Sequence, residues 1–271
     1  MTSIAVEREG VTPRQGRRLS LRFAAPLVGL AILIAIWAVG GALLAHSPQG
    51  AAFAGFAPRP ALTRLVTMLV EGSLRDALLP SLRRIGFGLG WAAALGIPIG
   101  VLVGQNALFR ELTHVPFQLL RMISPLAWMP VAILTFPTWE GAIIFLIAAA
   151  AVWSIIFATA NGLQKLDPDW FKLARNLGAR PWHLLAVITL PAIAQDILVG
   201  LRLALGVAWI VLVPAEYLGV TSGLGYAIND ARDTLEYDRL AALIVAIGII
   251  GFALDGILLL AIRRVRWTQS S

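Results

Sequence analysis

The residues best suited to chemistry are sparse and poorly placed for it. His46, His114 and His183 are scattered through a chain of 271 residues that holds no cysteine. No His-Glu-x-x-His or Gly-x-Ser-x-Gly run occurs, and no acidic pair sits at catalytic spacing in adjoining apolar segments. Metal-assisted hydrolysis and acyl transfer therefore have no residue set to work with, and no metal site is expected. Gly86, Gly88 and Gly90 fall within an apolar run, Gly223-Leu-Gly225 falls in a loop, and no Gly-x4-Gly-Lys-Ser/Thr phosphate cradle follows either. A nucleotide used by this protein must bind to another chain. The charges that stand out are Arg202, Glu216 and Asp255, each set in apolar surroundings.

Those surroundings set the fold class. Apolar residues make up 58% of the chain and charged residues 14%, against roughly 25% charged in a soluble domain. There is too little charge to coat a soluble core, so an all-α integral membrane protein is expected. A spanning helix needs about 20 mostly apolar residues. Six such runs are read at 23–45, 82–103, 115–137, 141–163, 199–217 and 240–262. The first follows Arg14, Arg17, Arg18 and Arg22 but is longer than a signal-peptide core, so it reads as a retained span. One membrane domain at 23–267 then lies between tails at 1–22 and 268–271. Between the first two spans, Pro58 and Pro60 open an amphipathic segment expected to lie along the surface.

Orientation follows from Lys and Arg. Thirteen of the 22 fall in the tail before Phe23, the 104–114 loop, the 164–190 segment and the end after Ile262; seven fall on the other side, Arg83 and Arg84 among them. Both termini are therefore expected in the cytoplasm, and the net charge of +7 reflects topology rather than nucleic-acid binding.

The cytoplasmic loop 164–191 carries the most information. Asp167 suits a helix N-cap, Pro168 the first helical position and Asp169 the positive helix end. A short helix should run to about Leu177, with Gly178 as a left-handed stop, and Pro181 can open a second helix. A rigid helix–turn–helix of this kind is suited to receiving force.

Its spacing resembles the EAA loop of ABC-transporter permeases. The matching positions are Ala174, Gly178, Ile188, Leu190 and Pro191; Lys172 and Leu173 stand where the motif has Glu and Ala. The run Arg121-Met-Ile-Ser-Pro-Leu-Ala-Trp-Met-Pro130 is similar to the third-span motif of the nitrate/sulfonate/taurine (bicarbonate) branch. Gly200-Leu-Arg202, Ala215-Glu216 and Ser222-Gly-Leu-Gly-Tyr226 resemble the segments that follow the loop in that branch. The resemblance implies a type I ABC importer permease fold (MetI-like). It implies ATPase coupling through Asp169, Trp170, Lys172, Leu173, Ala174, Arg175, Leu177, Gly178 and Pro191. It also implies a second copy of the chain, ATPase subunits carrying ATP and Mg, and an extracytoplasmic solute-binding protein that delivers a small anion such as nitrate, an alkanesulfonate or taurine. The competing reading is a secondary transporter or channel. Such proteins often show two related halves and have no need of a docking helix.

Pathway candidates are Ser124 and Trp128, which offer hydrogen-bond donors where Pro125 and Pro130 open the third span; the alternative for Trp128 is plain packing. Glu216, just after Pro214 at the outer end of the fifth span, reads either as part of an external gate or as a solvated interfacial carboxylate. Asp255 lies eight residues before Arg263, about 12 Å from the inner end at ~1.5 Å per residue. Arg202 reaches a similar depth, so the two are expected to form a structural pair, since each alone in the membrane is costly. Gly96, Gly100 and Gly104, and likewise Gly86 and Gly90, recur every four residues and are expected to let neighbouring helices approach closely.

Overall fold

The computed structural model describes residues 13–45 and 50–269, and among these the chain is helical almost throughout. The expected tail at 1–12 and the last two residues lie outside that range. Helix α1 (Pro13–Ala45) begins ten residues before the expected span, and its membrane-length stretch is Ala25–Leu43. It is apolar on all sides and little buried. The indole of Trp37 donates to the Phe56 carbonyl at 2.8 Å, tying α1 to the 3-10 turn Gly50–Phe56. Helix α2 (Pro58–Glu71) starts on prolines that need no N–H partner in the first turn and stops at Gly72 with φ 84°. Its Ala61, Leu65 and Met68 are buried, while Leu62, Val66, Leu69 and Val70 remain exposed as on a surface helix.

Helix α3 (Ser73–Gln105) has 33 residues, about 50 Å at ~1.5 Å each. Asn106 accepts from the Phe109 N–H at 3.1 Å and so caps α4 (Ala107–Met122). No single continuous helix covers the expected span 115–137. The chain leaves α4 through Ile123 and Ser124 in extended conformation, makes a 3-10 turn at Pro125–Trp128, and enters α5 (Met129–Thr135). The two arms are bent by 87°. Ser124 precedes a proline and is pushed out of the helical region, and neither Pro125 nor Pro130 can donate to the preceding turn.

Helix α6 (Trp139–Gln164) is the centre of the bundle. Gly88, Gly96, Gly100 and Gly104 of α3 face Ile147, Ile155, Thr159 and Leu163 of α6, at a constant offset of 59 residues, so the two helices run parallel. A Cβ at Gly100 would lie 2.6 Å from that of Thr159, and one at Gly104 would lie 2.8 Å from that of Leu163. Helix α7 (Pro168–Asn176) and a helical segment α8 (181–192), whose middle is a π-helical turn at Leu184–Thr189, form the loop that follows. Helix α9 (Ala194–Gly219) then returns antiparallel along α6: Gly162 meets Asp196 and Gly200 meets Ala158. The core between α3, α6 and α9 is filled by Ile85, Ile143, Leu146, Ile147, Ile155 and Leu212.

Helix α10 (Leu224–Asp233) packs Leu224, Ala227 and Ala231 against α2 and against α11 (Tyr237–Gln269). It ends at Asp233. Leu235 takes φ 59° and is 66% exposed, so it does not share the packing face of Ala231. The Glu236 N–H closes the end on the Ala231 carbonyl at 2.9 Å, which is the Schellman pattern. Gly86 and Gly90 meet no neighbouring atom within 4 Å. The stripe that packs is the one two residues on, through Gly88.

Candidate functional site: the docking loop and a buried charge cluster

At one end of the α3–α6–α9 core, the ammonium of Lys165 meets the Asp196 carboxylate at 2.6 Å and joins the end of α6 to the start of α9. The loop between them is ordered by local chemistry. The Asp167 carboxylate accepts from the Asp169 N–H at 2.9 Å, and the Lys172 ammonium pairs with Asp169 at 2.7 Å, one turn apart on an exposed face. Gly178 holds φ 82°, and the Ala179 N–H reaches the Ala174 carbonyl at 3.0 Å, so α7 ends in a closed Schellman cap. Ala174, whose carbonyl closes the cap, is buried. Trp170, Leu173 and Leu177, at i, i+3 and i+7, are 55%, 61% and 80% exposed, and Trp182 of α8 is exposed beside them. Three large apolar side chains in one stripe on a short polar helix form the kind of patch that marks a protein interface. Arg175 lies on the same helix, and Pro191 lies in the last turn of α8.

At the opposite end, α3 turns Ser81 and Arg84, three residues apart, into the core. The Arg84 side chain is 2% exposed and uses all five of its N–H groups. Nε and Nη2 donate to Glu140 Oε2 at 3.1 and 2.8 Å, and Nη1 donates to Glu216 Oε1 at 2.6 Å and to the Ser222 carbonyl at 2.8 Å. Nη2 also donates to Ser222 Oγ at 2.9 Å. Glu216 is wholly buried and accepts in addition from the Ser81 hydroxyl at 2.8 Å and from the Gly225 N–H at 2.9 Å. Ser81 Oγ in turn accepts from the Leu224 N–H at 2.9 Å. Glu216 thus places its negative charge on the amide end of α10, where the helix dipole favours it. A side chain at Gly223 would run into the Glu216 carboxylate, and one at Gly225 into the Val213 carbonyl, so the Ser222–Tyr226 turn is glycine-rich because α9 lies directly beneath it.

This corrects two sequence expectations. Arg84, counted among the cations of one membrane side, is buried within α3, under the ends of α6 and α9. Glu216 is not solvated, because its oxygens are engaged inside the chain. Ser81, Arg84 and Glu140 are not among the site residues expected from the sequence. The signal was available: Ser81, Arg84, Ile85, Gly88 and Ala92 recur at helical spacing on the face that packs.

Trp128 lies partly buried against the core and lines a cavity of about 220 Å³ with Leu120, Ile123, Pro125, Phe145, Ala149, Val152 and Trp153. Ser124 is exposed at the bend, its carbonyl accepting from the Ala127 N–H at 2.9 Å. No hydrogen bond among the described residues joins either to Glu216. Arg202 and Asp255 do meet, through two contacts of 2.6 Å between α9 and α11. No cluster of potential metal ligands occurs among the described residues.

The bundle, its bent hairpin and its helix–turn–helix with an exposed apolar stripe define a multi-pass membrane protein. The chain belongs to the family described as the binding-protein-dependent transport system inner membrane component, whose model matches residues 96–267. It is 36% identical over 243 residues to a probable ABC transporter permease protein of Brucella abortus, covering 89% of this chain and 96% of that one. It is 33% identical to the bicarbonate transport system permease protein CmpB of Synechococcus elongatus, over 90% of this chain and 87% of the relative. It is 35% identical to the putative aliphatic sulfonates transport permease protein SsuC of Bacillus subtilis, over 89% and 86%. Among solved structures, the MetNI methionine ABC transporter in an inward-facing conformation superposes with a TM-score of 0.59 at 17% identity, over 71% of this chain and 95% of that chain. That match shows the type I importer permease fold. The protein is accordingly the permease subunit of an ABC importer, a multi-pass inner-membrane transport component and not an enzyme. Its partners are a separate ATPase, which hydrolyses ATP, and a solute-binding protein.

Proposed function

We propose that two copies of this chain, with two ATPase subunits, form the translocation path for a small anion by alternating access. The observation that carries the coupling role is the exposed Trp170–Leu173–Leu177 stripe on a capped helix, held at one end of the rigid core. ATP and Mg bind on the ATPase; its closure pushes α7, and the bundle switches between outward- and inward-facing states. The basic bias of the tail and of loop 164–190 supports a cytoplasmic position for that loop and for both termini. Once Arg84 is counted inside the bundle, the opposite side keeps six of the seven cations assigned to it, which strengthens the asymmetry.

The names of the relatives support an oxyanion: bicarbonate for one and aliphatic sulfonates for another. Nitrate is likewise a compact oxyanion, and taurine, though zwitterionic, presents a sulfonate. The bend between α4 and α5 is the proposed place where the solute passes, with the Ser124 hydroxyl and the Trp128 indole as donors. Selectivity rests mainly with the solute-binding protein. The test has two parts. Calorimetry of the binding protein against nitrate, taurine, bicarbonate and an alkanesulfonate identifies the solute. Uptake of that solute into proteoliposomes holding the whole complex must then require ATP inside. Ser124→Ala with Trp128→Ala should lower uptake while the complex still assembles; unchanged uptake removes both from the path.

A further inference from the structure

The Arg84 cluster joins several parts of the fold at one buried point. Its guanidinium reaches α6 through Glu140, α9 through Glu216 and the 220–225 loop through Ser222. Glu216 and Ser81 then hold the first two amides of α10. Apart from apolar packing, the other anchors of α10 among the described residues run to α11, where Arg239 meets Asp230 at 2.8 Å, and to α9, where the Arg232 guanidinium lies 4.9 Å over the Tyr217 ring. Along the core, the Gly88–Gly104 stripe of α3 sits directly on α6, and at the far end Lys165 clamps α6 to α9 beside the docking loop. The core is therefore pinned at both ends and closely packed between them.

We infer that Arg84 is a positioning residue for transport: it fixes α10 and the 220–225 loop to the α3–α6–α9 core, so that a push on the docking helix moves the opposite face of the subunit without internal slip. Without the guanidinium, Glu216 is a buried anion left with one hydroxyl and one amide, an arrangement that favours rearrangement. Helix α10 then loses the bonds at its first two amides and keeps the Arg232–Tyr217 contact at its far end beside Asp230–Arg239. Its start and the loop before it slip against the core, and the face remote from the ATPase moves less with it. Lysine cannot replace arginine here, because one ammonium with three protons cannot serve Glu140, Glu216 and both oxygens of Ser222.

This rests on the reading of the chain as an ATP-driven permease, and the test separates the two claims without requiring a known solute. Hydrogen exchange over residues 220–236 is measured in the complete permease–ATPase complex in nanodiscs, with and without ATP and Mg, alongside ATP hydrolysis. In the parent complex, ATP should change the exchange of this segment. In Arg84→Gln, exchange should rise and no longer respond to ATP while hydrolysis persists. Arg84→Lys should respond weakly, and Arg83→Gln, an exposed neighbour, should behave as the parent does. An Arg84→Gln complex that responds to ATP as the parent does, or a parent segment indifferent to ATP, overturns the inference. A parent chain that binds no ATPase overturns the ATP-driven reading instead. If Arg84→Gln does not assemble, Glu216→Gln keeps the side-chain shape, removes the charge that Arg84 answers, and must give the same loss of response.

Discussion

Arg202 and Asp255 face each other as a two-pronged pair, Nε to Oδ1 and Nη2 to Oδ2, each at 2.6 Å, linking α9 to α11. Their side chains remain 38% and 42% exposed in the single chain although both lie within membrane-length helices. Ionised groups at membrane depth face protein or a water-filled cavity rather than acyl chains, and a surface of this kind suits the proposed second copy or solute path. Arg202→Gln or Asp255→Asn alone should lower the yield of inserted protein, because each leaves one charge without its partner. The double variant Arg202→Asp with Asp255→Arg should recover much of it. Quantified membrane expression is the measurement, and a swap no better than either single change would show that the pair does not act as a unit.

Ser81 has a smaller but well-defined role. Its hydroxyl donates to Glu216 and accepts from the Leu224 N–H, with no exposure to solvent. Ser81→Ala removes both functions and leaves a buried amide unanswered, at a cost of about 1–3 kcal/mol. A lower melting temperature of the detergent-solubilised protein is expected, and Ser81→Thr should restore part of the loss if the methyl group can be accommodated. A melting temperature equal to that of the parent would mean that Leu224 finds another acceptor.

Glycine spacing makes a third test, with an internal control. A Cβ at Gly100 would lie 2.7 Å from the Ile156 carbonyl, a backbone atom that cannot swing away, whereas Gly90 has open space around it. Gly100→Ala should destabilise the α3–α6 pair by roughly 1–3 kcal/mol, as overpacking does. Gly90→Ala should be neutral or slightly stabilising within the subunit, since alanine favours helix by about 1 kcal/mol over glycine. Equal melting curves for the two variants would contradict the parallel packing of α3 on α6. A specific loss of dimer in Gly90→Ala would mark that open stripe as a contact between copies.

These residues also show where sequence reasoning stops. Depth counting could match Arg202 with Asp255, because two opposite charges stood alone in apolar runs. Arg84 stood next to the exposed Arg83 at the start of such a run and so was counted with the cations of one membrane side; its partners Glu140 and Glu216 are 56 and 132 residues away, and only the fold brings them together. The prolines at 125 and 130 announced a break, but not an 87° turn into a separate short helix. Four-residue spacing identified Gly96, Gly100 and Gly104, yet Gly86 and Gly90 have the same spacing on a face that meets nothing. Periodicity gives a stripe, and only the neighbouring helix decides which stripe is used. Leu235 in a left-handed conformation could not be anticipated at all, since a branched side chain is disfavoured there.

The docking loop offers the sharpest separation of stability from function. Trp170, Leu173 and Leu177 are exposed, so replacing Leu173 or Leu177 by Asp removes no internal contact and should leave the melting temperature unchanged. The same change places a charge in the middle of the surface proposed for the ATPase, where it must be desolvated without a partner. Co-purification with the ATPase should fall sharply for Leu173→Asp and Leu177→Asp. Lys172→Ala, which loses only an exposed pair with Asp169, should retain it. Gly178→Ala works through a different link. A side chain at φ 82° costs roughly 1–2 kcal/mol, and relaxing that strain turns α7 away from α8, so the ATPase should still bind but its hydrolysis should couple less well to uptake. If Leu173→Asp and Leu177→Asp retain the ATPase at the parental ratio, the apolar stripe is not the contact, and force must enter the bundle elsewhere in loop 164–191, with the exposed Trp182 of α8 as the next candidate.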